Sequence, residues 1–353
     1  MGSEEITTSE ESRGHLKQLV AIGLIASLIG IALGLAIDWF PTQASTQAEK
    51  VDTLWDVLLI FSVPVFVLVI TVVLYSVWRF RMKPGEELKD GPPIHGNTRL
   101  EIVWTAIPAI ILVALCSYAY VTLTDIEEAD ASALNVTVVG EQFTWTFYYD
   151  VDGKKVASPQ LYVPRGKQVY FTVQSQDVIH DFWVPAFRMK IDAVPGVDTH
   201  LRVTPKTNGD YPVVCAELCG LGHSVMRQTA HVVDQSEFDK WLQDRASGAT
   251  AGGGGADEAG GNAGAPDGKS VFTDASCGGC HALKDAGTTG GTGPELDKVL
   301  ADKDAGFIEK SIVDPSAEIA PGFSDGLMPA NFGETLQPAE LDALVKYLDK
   351  VSG

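Results

Sequence analysis

Three uncharged apolar runs, 18–37, 57–78 and 102–124, most limit what this chain can become. Each is long enough to cross a hydrocarbon layer of about 30 Å as a helix. The loop between the second and third runs carries Arg79, Arg81, Lys83, Lys89 and Arg99, whereas the loop between the first and second carries only Lys50. Basic side chains favour the cytoplasmic side, so 79–101 is expected inside and everything after 125 outside. Trp39, Trp55 and Trp78 fall at the expected helix ends, where interfacial aromatics belong. The first run has two readings, a third membrane helix or a cleaved signal peptide. The acidic leader (Glu4, Glu5, Glu10, Glu11), the length of the run and the lack of a clean Ala-x-Ala site favour the helix.

The exterior part changes character along its length. Residues 134–233 are rich in Val, Thr, Tyr and Phe, alternate over stretches such as 134–139 and 168–173, and are broken by turns at Pro164, Pro205 and Gly209. Short strands at that spacing predict an antiparallel sandwich, whose loops can converge at one end. A short helix is expected over Ser236–Arg245. Residues 247–268 are dense in Gly and Ala and read as a flexible linker, about 25 Å across as a random coil, which would let the next domain move. Residues 269–353 show helical periodicity at both ends, including a closing helix from Pro338.

Two clusters carry chemistry. Cys215, Cys219, His223 and Met226 fall within twelve positions, and His180 lies upstream in the same expected domain. Soft sulfur with imidazole suits copper or zinc over magnesium or calcium, and a thioether tips the balance to copper. Taken alone, a Cys-x3-Cys would equally suit a disulfide or buried thiols, and Met226 would equally suit core packing. The second cluster, Cys277, Cys280 and His281, has the Cys-x-x-Cys-His spacing of covalent heme attachment, with the imidazole reaching the iron from one side. Met328 is the candidate for the opposite axial position, although it would also serve as packing. A thioredoxin-like dithiol lacks its βαβ frame here. Cys116, inside the third run, is expected to pack; no cysteine is left for a disulfide framework.

The set His180, Cys215, Glu217, Cys219, His223 and Met226 resembles the binuclear CuA site of cytochrome c oxidase subunit II. The resemblance implies that the cysteines bridge two coppers, each histidine takes one copper, Met226 is a weak ligand and Glu217 offers its carbonyl. It implies a cupredoxin-type fold for 131–246, and the Glu217 side chain as a candidate magnesium contact facing subunit I. Residues 269–353, with Gly293, Pro294 and Leu296 after the heme motif, resemble a small class I cytochrome c. The stretch His95–Pro108 looks like the family's entrance to its second hairpin helix. There Glu101, three residues before Trp104, matches a glutamate at the mouth of a proton pathway; taken alone it also suits a helix N-terminus. The stretch Gly140–Tyr149 resembles the family's aromatic segment, with Phe143 where Trp commonly accepts electrons from a soluble cytochrome. That departure puts docking of a separate cytochrome in doubt, and a fused heme domain supplies another route; Val197, where Arg is often found, implies an altered interface contact.

The expected whole is therefore a multidomain membrane protein. It comprises an acidic N-terminus with a first apolar helix or signal peptide (1–45), a transmembrane α-helical hairpin (46–130), an all-β cupredoxin-like CuA sandwich (131–246), a linker (247–268) and an all-α class I cytochrome c (269–353). The resemblance to a caa-type heme-copper oxidase implies binuclear copper, covalent heme c, subunits I and III as partners, and an upstream cytochrome or quinol-oxidising complex as donor. It implies a bacterial or archaeal-type cell membrane, with the CuA and cytochrome domains outside. The formal charge of −20 argues against nucleic acid; Asp257, Glu258, Asp267 and Asp274 suit either solubility or steering of a basic donor. A nitrous-oxide-reducing enzyme would need a histidine-rich cluster that seven scattered histidines do not provide. A quinol oxidase subunit would lack the copper ligands. A tethered shuttle without subunit I would have no use for Glu101.

Overall fold

The computed structural model describes residues 3–82, 85, 95–248 and 266–352. Residues 249–265 of the expected linker, and Lys83 and Lys89 of the basic loop, lie outside the described residues. The described residues divide into two units, 3–39 with 50–125, and 40–49 with 126–352.

In the first unit, α1 (Ser3–Ala36), α2 (Thr46–Arg79) and α3 (Thr98–Ile126) each contain a stretch long and apolar enough to cross a membrane, which in α1 is Gly14–Ala36. A helix satisfies its own backbone polar groups, which is what an apolar solvent demands. Helix α1 lies close against α2: a Cβ at Gly34 would stand 2.7 Å from the Leu59 side chain, and one at Gly30 would stand 2.8 Å from Val63. Glycines four apart let two membrane helices approach so closely. Pro64 and Pro108 lie within α2 and α3. Lys50, near the start of α2, pairs with Asp125 at 3.7 Å near the end of α3. Cys116 is exposed on α3 rather than packed, because the apolar residues of this helix spread around its surface and most face outward.

The second unit begins its chemistry with a sandwich. Its strands are β1 (Leu134–Glu141), β2 (Thr144–Val151), β3 (Lys154–Ser158), β4 (Leu161–Pro164), β5 (Val169–Ser175), β6 (His180–Trp183), β7 (Lys190–Ala193), β8 (Thr199–Val203), β9 (Gly209–Cys215) and β10 (Arg227–Val233). One sheet runs β3-β2-β1-β5-β8 and the other β4-β10-β9-β6-β7. The expected alternation holds in β5, where Val169, Phe171 and Val173 are buried while Tyr170 and Thr172 between them are half-buried, but not in β1, where Val138, Val139 and Gly140 are buried in a row. The expected purely antiparallel pairing does not hold. After the β1-β2-β3 meander the chain crosses to the other sheet as β4 and returns as β5, so β5 pairs parallel to β1, and β10 pairs parallel to β4. Trp145, Phe147, Phe171 and Phe182 fill the core with at most 1% exposure; truncating any one to Ala would cost about 3–5 kcal/mol.

Helix α4 (Gln235–Ser247) closes one end of the sandwich with Phe238, Trp241 and Arg245, and the Trp241 ring stacks on Tyr162 at 4.2 Å. The C-terminal part has α5 (Gly268–Asp274), α6 (Cys277–Cys280), a short β11–β12 ladder (Ala282–Leu283 with Thr288–Thr289), α7 (Leu296–Val299), α8 (Ala305–Val313), α9 (Phe332–Thr335) and α10 (Pro338–Ser352). It is helical apart from that ladder, and α10 packs on α5 and α8. Asp304 caps α8 by accepting the Phe307 N–H at 2.8 Å.

Candidate copper and heme sites

The copper candidates meet at one pole of the sandwich. His180 opens β6 and is fully buried; Cys215 ends β9; Cys219 lies in the loop; His223 begins a 3-10 turn; Met226 leads into β10. Two strand ends rooted in the aromatic core therefore hold the donors in place. Cys215 Sγ is 3.8 Å from Cys219 Sγ and 3.9 Å from His180 Nδ1. Cys219 Sγ is 3.6 Å from His223 Nδ1 and 3.8 Å from Met226 Sδ, and the Glu217 carbonyl oxygen is 3.2 Å from Cys215 Sγ. The exposed Glu217 side chain points to no partner in this cluster. Two thiols side by side, each facing an imidazole nitrogen, with a thioether and a carbonyl at the flanks, fit a pair of soft metal ions sharing two thiolates.

Asp177, which sequence reasoning missed, fixes the first imidazole. Its Oδ1 meets His180 Nε2 at 2.8 Å, so Nε2 carries the proton and Nδ1 turns its lone pair toward the thiols. The only sequence signal was a carboxylate three residues before the histidine. Burial works against the Asp177 charge, but His180 and the Gln142 and Val178 N–H groups hold its pKa below the ordinary value. Burial likewise opposes ionisation of Cys215, yet His180 and neighbouring backbone groups bring this thiol down to about 7. Cys219, buried and beside a charge on Cys215, is pushed up to about 12. One thiol of the pair thus ionises near neutrality while the other keeps its proton.

Phe143 lies at the same pole, 8% exposed, wedged beneath the loop so closely that a Cβ at Gly222 would stand 2.4 Å from its ring. Gln142 Nε2 donates to the Cys219 carbonyl at 2.5 Å. Trp145 is a core residue, as expected, and its ring meets the His180 ring edge-on at 5.8 Å.

The heme candidates line a cavity of about 420 Å³. Cys277 and Cys280 are the ends of α6, and His281 follows it. His281 Nδ1 meets the Pro294 carbonyl at 2.9 Å, which fixes the proton on Nδ1 and leaves Nε2 as the donor atom. A Cβ at Gly293 would stand 2.7 Å from the imidazole, so only glycine lets the ring lie where it does. Burial lowers the His281 pKa and pushes the Cys277 thiol up to about 12. Met328 is half-buried and lines the same cavity, with Leu296, Ile308 and Phe332 supplying apolar wall. Two thiols, an imidazole with a defined tautomer and a thioether around an apolar cavity fit a covalently held heme. Phe143, Thr144, Val225 and Gln228 of the sandwich close the cavity on one side. Ser276, just before the heme motif, donates to the Arg227 carbonyl at 2.8 Å.

Glu101 lies at the exposed N-terminus of α3, where its Oε1 accepts the Asn97 N–H at 3.0 Å. Asn97 Oδ1 in turn accepts the Leu100 N–H at 3.2 Å. This reciprocal arrangement caps the helix.

Fold and sites together define a membrane protein with a β-sandwich metal domain and a C-terminal heme domain. Comparison with known proteins gives the family. Residues 31–121 match the model for the cytochrome c oxidase subunit II transmembrane domain, 151–233 that for its periplasmic domain, and 265–352 that for cytochrome c. Cytochrome c oxidase subunit 2 of Thermostichus vulcanus is 34% identical over 65% of this chain and 85% of its own length. The same subunit of Alkalihalophilus pseudofirmus is 32% identical over 82% of this chain and 85% of its own. The solved periplasmic domain of subunit II of cytochrome oxidase of Bradyrhizobium japonicum is 30% identical and covers 35% of this chain and 97% of its own, with a TM-score of 0.32. The chain belongs to the cytochrome c oxidase subunit II family and carries a cytochrome c domain at its C-terminal end.

Proposed function

We propose that this chain is the electron-receiving subunit of a respiratory heme-copper oxidase. Cys277, Cys280, His281 and Met328 would hold heme c. His180, Cys215, Glu217 (through its carbonyl), Cys219, His223 and Met226 would hold binuclear CuA. When bound, these groups would supply one-electron redox chemistry, with heme c as donor to CuA and CuA as donor to subunit I, where oxygen would be reduced to water with proton translocation. The protein's own contribution is to fix the His180 and His281 tautomers, supply thiols and wall the heme cavity with apolar groups. The observation that carries this reading is the pair of thiols 3.8 Å apart, with an imidazole Nδ1 3.9 Å from one and another 3.6 Å from the other. Phe143, shared by the copper pole and the heme cavity wall, is proposed to lie on the electron route in place of the family's tryptophan.

The finer assignments follow from the same reading. The chain divides at about 45, 130, 246 and 268, α1 is retained through its close packing at Gly30 and Gly34, and subunit III and an upstream cytochrome or quinol-oxidising complex complete the partners. The Glu217 carboxylate would offer a ligand to a magnesium ion at the subunit I interface. The copper and heme domains lie outside a bacterial or archaeal-type membrane. Glu101 takes up protons at the cytoplasmic side in addition to capping α3. Glu101→Gln keeps an acceptor for the Asn97 N–H, so slower proton-coupled turnover in a fully assembled oxidase is the expected outcome.

The test is copper and iron content with an optical spectrum on the full chain. Two coppers per heme iron, and a mixed-valence copper band that vanishes in Cys215→Ser, are expected. Heme without copper in a folded, copper-loaded preparation would reduce the protein to an anchored cytochrome.

A further inference from the structure

Arg245, in the last turn of α4, leaves its own domain. Its Nη1 lies 3.0 Å from Glu340 Oε1, and its Nη2 donates to the Thr335 carbonyl at 2.5 Å and faces Glu340 Oε2 at 3.5 Å. Its Nε donates back to the Ala157 carbonyl of β3 at 2.8 Å. The Arg245 side chain is 6% exposed and that of Glu340 11%. Gln337 Nε2 returns a bond to the Arg245 carbonyl at 3.3 Å, while Glu340 Oε2 also accepts the Gln337 N–H at 2.7 Å. The guanidinium therefore touches α9 and α10 of the heme domain and β3 of the copper domain at once.

A desolvated ion pair adds little net attraction, since burying both charges offsets most of the Coulombic gain. It does fix geometry: a planar fork with its N–H groups bonded accepts one arrangement of its acceptors. Smaller polar contacts repeat that register along the same seam. Asn331 Nδ2 donates to Thr146 Oγ1 at 2.9 Å, Ser276 Oγ meets Gln228 Oε1 at 2.9 Å, and Gln160 Nε2 donates to the Asp274 carbonyl. At the far end of the seam are Phe143, Thr144 and Val225, which wall the heme cavity. A covalent tether alone would leave the heme domain free to leave this seam.

We propose that Arg245 is a positioning residue: with Glu340 it locks the cytochrome domain onto the copper domain in one register, so that transfer between them takes place at fixed geometry without a docking step. This rests on the electron-receiving function proposed above. Breaking the lock leaves both metal centres intact and makes transfer wait for docking.

The test compares the full chain, loaded with heme and copper, with Arg245→Gln and Glu340→Gln. The second variant lies in the other domain and keeps an acceptor for the Gln337 N–H, so a local folding effect of Arg245 on its own sandwich is separable. Amide hydrogen exchange over 225–228, 266–280 and 331–340 is expected to quicken about tenfold in both variants, with heme and copper spectra unchanged. After flash reduction of the heme, wild-type transfer to copper is expected to ignore solvent viscosity. In both variants it slows about tenfold and becomes viscosity-dependent, because only a fraction of molecules is docked. Unchanged exchange and rate in Glu340→Gln would overturn the proposal, whatever Arg245→Gln does. A wild-type chain that exchanges as expected but transfers no electron would sink the electron-receiving function instead, leaving the lock to be judged on exchange.

Discussion

The copper pole and the heme pocket draw on their hydrophobic cores to different extents. At the copper pole the donors sit on strand ends and a loop, braced by Trp145, Phe182 and the Asp177 carboxylate, and Cys215, Cys219 and Met226 join a sandwich core whose other buried members offer no donor. In the heme domain the walls of the pocket are the core itself: Leu296, Leu300, Ile308, Ile312, Phe332, Leu344 and Leu348 both line the cavity and make up the domain's hydrophobic cluster. A site that uses a few members of a core largely complete without it is imposed by the fold. A site whose walls are the core makes its occupant part of folding, as expected of a domain too small to bury much else.

Preventing heme attachment should have the largest effect. Cys277→Ser with Cys280→Ser is expected to abolish the cooperative melting of 266–352, a loss of about 5 kcal/mol or more, while the sandwich transition stays in place; calorimetry on the full chain reads both. Cys215→Ser breaks the comparison from the other side. Copper affinity should fall more than about 100-fold, with the sandwich melting within a few degrees of wild type. If the sandwich unfolded as well, the distinction between the two sites would be lost.

A subtler change tests how far the copper site is preset. Asp177→Asn leaves the strand ends in place and removes the charge that orients His180, so copper affinity is expected to drop about 10–100-fold in competition with a chelator. The thiols add a pH signature. With Cys219 pushed up to about 12, the metal-free site keeps that proton at neutral pH. Copper must displace it, so uptake should release protons and apparent affinity should rise with pH, by up to about tenfold per unit for each proton released. A pH-stat titration checks the sign. The smallest effect concerns the heme domain alone. Asp304→Ala removes the α8 cap and should lower only the second melting transition, by about 1 kcal/mol.

Much of this was legible along the chain because the ligands cluster along it. Cys215 to Met226 spans one loop and Cys277 to His281 one turn, so covalent spacing alone brings those groups together. The strand alternation of 169–173 and the helix from Pro338 were equally local. Less visible were features that depend on which surfaces meet. The parallel pairing of β1 with β5 arises from a crossover between sheets, and periodicity within a strand says nothing of its neighbour's direction. The outward-facing Cys116 shows the same limit, because an apolar run does not reveal which of its faces is packed.

The amino-acid sequence by itself determined that three stretches are long and apolar enough to cross a membrane and which residues are candidates to bind metal and heme, since hydrophobic length and ligand spacing act over a few turns of chain. Only the tertiary structure decided that Asp177 orients His180, that Phe143 walls the heme cavity, and that Arg245 pairs with Glu340, 95 positions away. Many arginines and glutamates in this chain are chemically equivalent on paper. Packing selects among them by removing water from one pair and fixing its geometry.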